Sequence, residues 1–166
     1  RHSLKGFQYK PLFSALNVTQ KGILVKVCSK CCFSIFIDYL CEMLLFANKS
    51  NMDVLVACEE SQATCKAFRA KGHNAYSCDL QECSGGHPEW HIITDVLTVI
   101  NGGTFTTQAG NVVVIEKWHI MIAHPTCTFI ANSGVQWLFN KDGSRNENRW
   151  QEMQLGCEFF KALLDA

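Results

Sequence analysis

Four short apolar runs in this chain end in groups that can do chemistry. Asp53-Val-Leu-Val-Ala57 leads into Cys58-Glu59-Glu60-Ser61, and Ala75-Tyr-Ser-Cys78 leads into Asp79. Residues 90–94 lead into Asp95, and residues 118–123 lead into His124-Pro125-Thr126-Cys127. In an open α/β sheet, ligands bind outside the carboxyl ends of the strands. Asp79 follows Ala57 by 22 residues, the interval at which an acid grips ribose hydroxyls in nucleotide-binding sheets. Acids at successive strand ends would repel a pyrophosphate, yet they suit a nucleoside that carries no phosphate. The G-x-G-x-x-G fingerprint and the P-loop are both absent, which argues against NAD, FAD and ATP hydrolysis.

S-adenosylmethionine meets these terms, with its ribose, adenine, free amino acid and cationic sulfonium. Asp79 would accept from both ribose hydroxyls and Asp95 from the adenine amino group. Glu59 or Glu60 would face the ammonium or the sulfonium. Each acid read by itself is a solvated strand-end cap; three in register on one scaffold favour the ligand.

The elements that must hold these groups follow from pattern. Asp53 to Ala57 is a β-branched run suited to a buried parallel strand. Ser61 reads as an N-cap and residues 62–71 as a helix, with Ala63, Ala67 and Ala70 on a close-packing face and Gly72 as its stop. Residues 75–78 form the second strand, which completes a βαβ unit with a right-handed crossover. Residues 90–94 read as a third strand. Asn101-Gly-Gly103 opens a hairpin that pairs 104–107 with 112–115. Residues 118–123 read as a further buried strand. After a polar loop over 140–148, Trp150, Met153, Cys157, Phe160 and Leu164 recur at helical spacing, as on one apolar face. Trp90, Trp118 and Trp137 read as core or rim packing rather than platforms for bases. Arg145 and Arg149 are a weak signal for phosphate.

With 166 residues and 48% hydrophobic content, the chain has the make-up of about one globular domain rather than a disordered or fibrous segment. Fifteen basic residues balance fifteen acidic ones, so no global field selects nucleic acid or membrane. The balance is uneven along the chain. Residues 1–51 hold seven basic and two acidic residues, whereas 52–166 hold eight and thirteen. This divides the chain into an extension over 1–51 and a domain over 52–166. The extension suggests a strand over 25–28, a helix over 33–47, and a Cys28-Ser-Lys-Cys31 pair near Cys32 and Cys41. No second pair at finger spacing follows. The segment reads as translated sequence upstream of Met52. The first residue, Arg1, and an end inside a helical pattern suggest a fragment cut at its C-terminal end. Ten cysteines spread through apolar runs fit reduced thiols in a cytoplasm better than a disulfide framework. No run reaches the roughly 18 apolar residues of a membrane span.

The stretches VLVACEESQATCKAFRAKGHNAYSCDL, CSGGHPEWHIITDVL and IMIAHPTCTFIANSGVQWL resemble phage- and prophage-type DNA cytosine methyltransferases, over residues 52–139. The resemblance implies a Rossmann-like methyltransferase sheet with helices on both faces, truncated at its C-terminal end. It also implies a bacterial or phage-encoded cytoplasmic enzyme that acts on DNA. S-adenosylmethionine would lie against Ala57, Cys58, Glu59, Glu60 and Ser61, against Asp79 with Leu80, and against Asp95 with Val96. His124 and Pro125 would close the site, and residues 124–128 would form the reactive loop. Cytosine C5 is too weak a nucleophile to take a methyl directly. A thiolate adds to C6 first, and Cys127, after a strand and a proline turn, is the residue in place for this. The base must leave the duplex to be reached.

The chain departs from the group at several points. The group tends to carry Pro-Pro-Cys, where this chain has Pro125-Thr126-Cys127, and an acid where His119 follows Trp118. The first-motif glycines are missing around Cys58. A Glu-Asn motif that assists at cytosine N3, and a target-recognition region, would lie beyond Ala166. Three other readings remain open at this point. One is a catalytically inert remnant. Another is a DNA amino-methyltransferase, although His124-Pro-Thr-Cys127 lacks the amide or acid and the aromatic platform which that chemistry uses. The third is a nucleic-acid-binding module stapled by zinc on Cys78, Cys83, His87 and His91.

Overall fold

The structure is a computed structural model that describes residues 51–131, 134 and 136–166. The expected strand over 25–28, the helix over 33–47 and the cysteines at 28, 31, 32 and 41 lie outside the described residues.

A run of apolar residues with no polar alternation needs cover on both faces of its strand. Strand β1 (Asp53–Ala57) meets that need, and its last four residues have no solvent exposure. Helix α1 (Ala63–Ala70) and strand β2 (Asn74–Asp79) follow, then β3 (His91–Ile93) between two short 3-10 turns. A hairpin of β4 (Gly103–Thr106) and β5 (Val112–Ile115) precedes β6 (Ile120–Ala123) and the long helix α2 (Glu147–Leu164). The parallel sheet runs β3-β2-β1-β6, while β4 and β5 pair by themselves. Val54 sits opposite Ala75 on one side and Ile120 on the other. The chain thus steps outward from β1 to β3 and returns on the far side of β1. Strand order reverses between β1 and β6, and a crevice at the carboxyl edge opens at such a reversal.

Alternation along the strands divides the core. Val54, Val56, Ala75, Ile120 and Ile122 meet Cys65 and Phe68 of α1. Leu55, Ala57, Tyr76, Cys78 and Met121 point the other way, toward Phe160 and Leu163 of α2 and Phe105 and Ile115 of the hairpin. Helices therefore cover both faces. β3 pairs only with residues 77–79 of β2, which leaves the lower edge of β2 open. Arg69 caps that edge: its Nε donates to the Ala75 carbonyl at 2.7 Å, and its guanidinium lies over the Tyr76 ring at 4.7 Å and the Trp90 ring at 5.1 Å. A blocked edge does not recruit a foreign strand.

Three details differ from the sequence reading. Ser61 is not the N-cap of α1. Gln62 holds that position in a left-handed conformation with no side-chain cap bond. The buried Glu59 carboxylate accepts instead from Thr64 N at 2.6 Å and Cys65 N at 3.1 Å. A full negative charge meets the positive helix end better than a hydroxyl does. The inward stripe of α2 keeps Trp150, Met153, Phe160 and Leu164 of the expected one but not Cys157. Cys157 is exposed, and Gly156 and Leu163 turn inward beside Phe160. A Cβ on Gly156 would stand 3.2 Å from Ile130, so the missing side chain lets the helix approach. Finally, Trp90 belongs to the 3-10 turn Pro88–Trp90 and Trp118 lies before β6, so both strands are shorter than expected. The hairpin agrees to within one residue, and Gly72 ends α1 at φ +87° as expected. Among the described residues no helix is long and apolar enough to cross a membrane.

Candidate cofactor crevice and thiol groove

The loop from β1 to α1 is strained at both ends. Cys58 and Gln62 each sit at φ 58°, a conformation that costs a non-glycine residue about 1 kcal/mol. Such outliers persist where the surroundings over-determine them. Gln62 supplies that constraint and has no exposure. Its Oε1 accepts from His87 N at 3.0 Å, and its Nε2 donates to His87 O at 2.8 Å and to Ser77 Oγ at 3.3 Å. Ser84 N donates to Glu60 O, and Lys66 Nζ donates to Gly85 O. A Cβ on Gly85 would lie 2.5 Å from both Gln62 Cβ and Ser61 O. These contacts strap residues 81–91 to the β1–α1 loop.

Asp79 and Asp95 flank this loop. Asp79 Oδ1 accepts from Gln81 N at 3.1 Å, and Asp95 Oδ1 accepts from Leu97 N at 3.0 Å. In both, Oδ2 has no hydrogen-bond partner among the described residues. Burial pushes the Cys58 thiol up to about 12, with further repulsion from Asp79 and Asp95. The same causes, with Cys58 added, raise Cys78 to about 12. Two carboxylates and two protonated thiols are therefore neighbours at the carboxyl edge of the sheet, with Cys78 fully buried and Asp95 exposed. Leu80 is 74% exposed beside Asp79, while Val96 is buried beside Asp95.

Across the reversal, His124 N donates to Ala57 O at 2.9 Å and extends the β1–β6 ladder by one bond. His124 Nε2 and Thr64 Oγ1 are 3.2 Å apart, which ties this exit to the first turn of α1. Pro125 is buried, and Cys127 is half-buried. Cys127 lines an open groove of about 720 Å³ with Thr128, Gly134, Gln136, Trp137, Asn146 and Arg149. Arg149 lies over Phe129 at 4.5 Å and pairs with Glu152 at 3.4 Å. No carboxylate lines this groove among the described residues.

The fold thus brings Cys58, Asp79 and Asp95 near one another at the carboxyl edge and sets Cys127 in a groove beyond the adjoining strand. Glu59 is consumed by the helix, so it does not face a ligand's ammonium. The four groups of the zinc reading do not converge. His91 has no exposure; its Nε2 donates to Gln81 O and its Nδ1 accepts from the Ser77 hydroxyl, both at 2.8 Å. Cys78 donates to Thr94 O, and His87 stacks on Trp90 at 3.9 Å and bonds Glu89 at 3.0 Å. Among the described residues no three His, Cys, Asp or Glu side chains gather to hold a metal ion. Sequence reasoning missed Gln62. Its signal was a polar residue between a strand and a helix, which looks the same as a solvated one. Comparison with family profiles, curated proteins and solved structures returns no match.

Proposed function

We propose that the chain holds S-adenosylmethionine on a Rossmann-like methyltransferase sheet and carries the nucleophile of a DNA cytosine methyltransferase, Cys127. The observation that carries this reading is the arrangement of the carboxyl edge. The α1 amides that would cradle a pyrophosphate are already taken by Glu59. Asp79 and Asp95, by contrast, each keep an oxygen for a ligand donor. A strand edge of that kind fits a cationic nucleoside without phosphate, and it disfavours a dinucleotide.

When bound, the cofactor supplies an electrophilic methyl group. Asp79 would accept from the ribose hydroxyls and Asp95 from the adenine amino group. Cys127, its thiol proton given up to solvent, would add as thiolate to C6 of an extruded cytosine; the ring electrons shift to C5, which would take the methyl as its bond to the sulfonium breaks and leaves a neutral thioether. Loss of the C5 proton to a base would then expel Cys127 and restore the ring. The described residues offer the Cys127 groove no carboxylate for N3, so the thiol and cofactor steps are the ones assigned to this chain.

Calorimetry of S-adenosylmethionine with the full 166-residue chain, beside Asp79→Ala, tests the reading. Micromolar binding that the variant loses is expected. No heat of binding from a chain shown to be folded would overturn it.

A further inference from the structure

The β4–β5 hairpin stands apart from the parallel sheet, and among the described residues β5 pairs with β4 alone. Its strand is the run Val112-Val-Val-Ile115, with no charge inside it and with Asn111 and Glu116 at its ends. Proteins commonly blunt an open edge with a charge, a proline or a cover. Arg69 does so for β2, and β5 carries no residue of that kind. The phase of the ladder decides which main-chain groups this edge presents. Thr107 N donates to Asn111 O at 2.8 Å, and these two residues face each other in the register that pairs Phe105 with Val113. In an antiparallel pair, hydrogen-bonded residues alternate with non-bonded ones. Val113 therefore directs its N–H and C=O to Phe105, whereas Val112 and Val114 direct theirs to the outer edge. The same two valines carry exposed side chains, at 69% and 68%, and their partners Thr106 and Thr104 are exposed beside them.

We infer that the outer edge of β5 joins the same edge of a second copy of this chain about a two-fold axis, so that the two hairpins form one continuous antiparallel sheet. One register satisfies every group. With Val113 on the axis, Val112 lies opposite Val114 of the second copy, and the reverse holds by symmetry. Each such pair can exchange both N–H···O=C bonds, because both residues direct these groups outward. The side chains agree, since directly opposed residues share a face and Val112 and Val114 share the exposed one. Glu116 then falls opposite Gly110 and Lys117 opposite Ala109, so no like charges meet. A foreign strand would have to match this phase, this facing and this lack of charge. The edge of β5 matches itself in all three, which is what an isologous contact requires. A two-stranded ribbon is marginal alone, and further strands with an apolar face stabilise it. The contact is small beside the roughly 1,600 Å² of a standard interface, so the dimer is a weak one. This inference goes beyond the cofactor reading and does not depend on it.

The test is sedimentation velocity of the full chain from about 1 to 300 μM, with circular dichroism to show that each variant is folded. A monomer–dimer equilibrium is expected, with half of the chain dimeric at about 100 μM, as suits a small interface. Val114→Pro removes an outward N–H from each copy and none of the bonds between β4 and β5. Edge strands accept proline where the N–H faces solvent, and association is expected to weaken about tenfold. Val112→Lys combined with Val114→Lys sets lysine opposite lysine at exposed positions and is expected to weaken it as much, about tenfold. Val112→Glu combined with Val114→Lys sets opposite charges face to face across the axis and is expected to stay within about threefold of the native chain. Leu155→Ala, at an exposed residue of α2, leaves association unchanged. A monomer over the whole range would overturn the inference. So would a dimer that tolerates both Val114→Pro and the double lysine, or growth into larger species, which an edge closed on itself does not allow. A glutamate–lysine variant as weak as the double lysine would overturn the register with Val113 on the axis.

Discussion

Gln62→Glu replaces one NH2 with an oxygen and changes nothing else in shape. The native amide donates to His87 O and Ser77 Oγ from a position with no exposure. In the variant, Ser77 can turn its hydroxyl toward the new oxygen only by giving up its bond to His91 Nδ1, and a carbonyl has no proton to offer. His87 O keeps its bond from Trp90 N at 3.0 Å but loses the amide donor and faces a carboxylate instead, a loss and repulsion that together cost about 1–3 kcal/mol. Burying the carboxylate adds to that cost, so a loss of about 2–4 kcal/mol near neutral pH is expected. That is a large share of the roughly 5–15 kcal/mol of an ordinary domain. The loss must depend on pH. Burial raises the folded pKa of the introduced acid above its unfolded value near 4.3. The folded state then holds the proton where the unfolded state has released it. Stability relative to the native chain therefore falls as pH rises above about 4.3, by about 1.4 kcal/mol per unit, until the folded pKa is passed. Urea unfolding followed by circular dichroism at several values between about pH 4.5 and 7.5 gives both the deficit and its slope. A deficit below about 1 kcal/mol at neutral pH, or one that does not change with pH, would refute the assignment of Gln62 as the buried strap between the two loops.

Glu59→Ala removes both carboxylate bonds to the α1 amides and is expected to destabilise the fold by about 2–3 kcal/mol. Glu59→Gln keeps one acceptor and should lose about half as much; chemical denaturation reads both. The thiols of Cys65 and Cys78 are raised by burial from 9.0 to about 12. The folded state keeps these protons while the unfolded state loses them, so stability is full below pH 9 and declines from there toward pH 12. The slope is about 1.4 kcal/mol per pH unit for each thiol, and melting temperatures across this window in Cys65→Ala should fall less steeply than in the native chain. Cys127→Ser is expected to leave S-adenosylmethionine affinity intact and to abolish covalent trapping of a 5-fluorocytosine strand. Trapping by the serine variant would exclude Cys127 as the nucleophile.

Much of the scaffold is decided locally. The β-branched run of β1, the glycine that ends α1, the hairpin around Gly110 and the four strand exits follow from backbone propensity and periodicity, which depend on neighbours in the chain. The acids at Asp79 and Asp95 were legible for the same reason, since they follow short apolar runs. Tertiary structure decided which polar groups remain available. Glu59 and Asp79 both follow a strand in the sequence, yet a helix end consumes the first and leaves the second an open oxygen. His91 looked like a loop ligand until Ser77, 14 residues away, took one ring nitrogen and Gln81 O the other. Gln62 is a strap because His87, 25 residues on, folds back onto it. Cys157 fits the expected apolar stripe, but Gly156 gives the closer packing and faces inward in its place. A hydrogen bond goes to whichever partner the fold brings within about 3 Å. That competition is settled between residues far apart in the chain, where spacing along the sequence carries no information about distance.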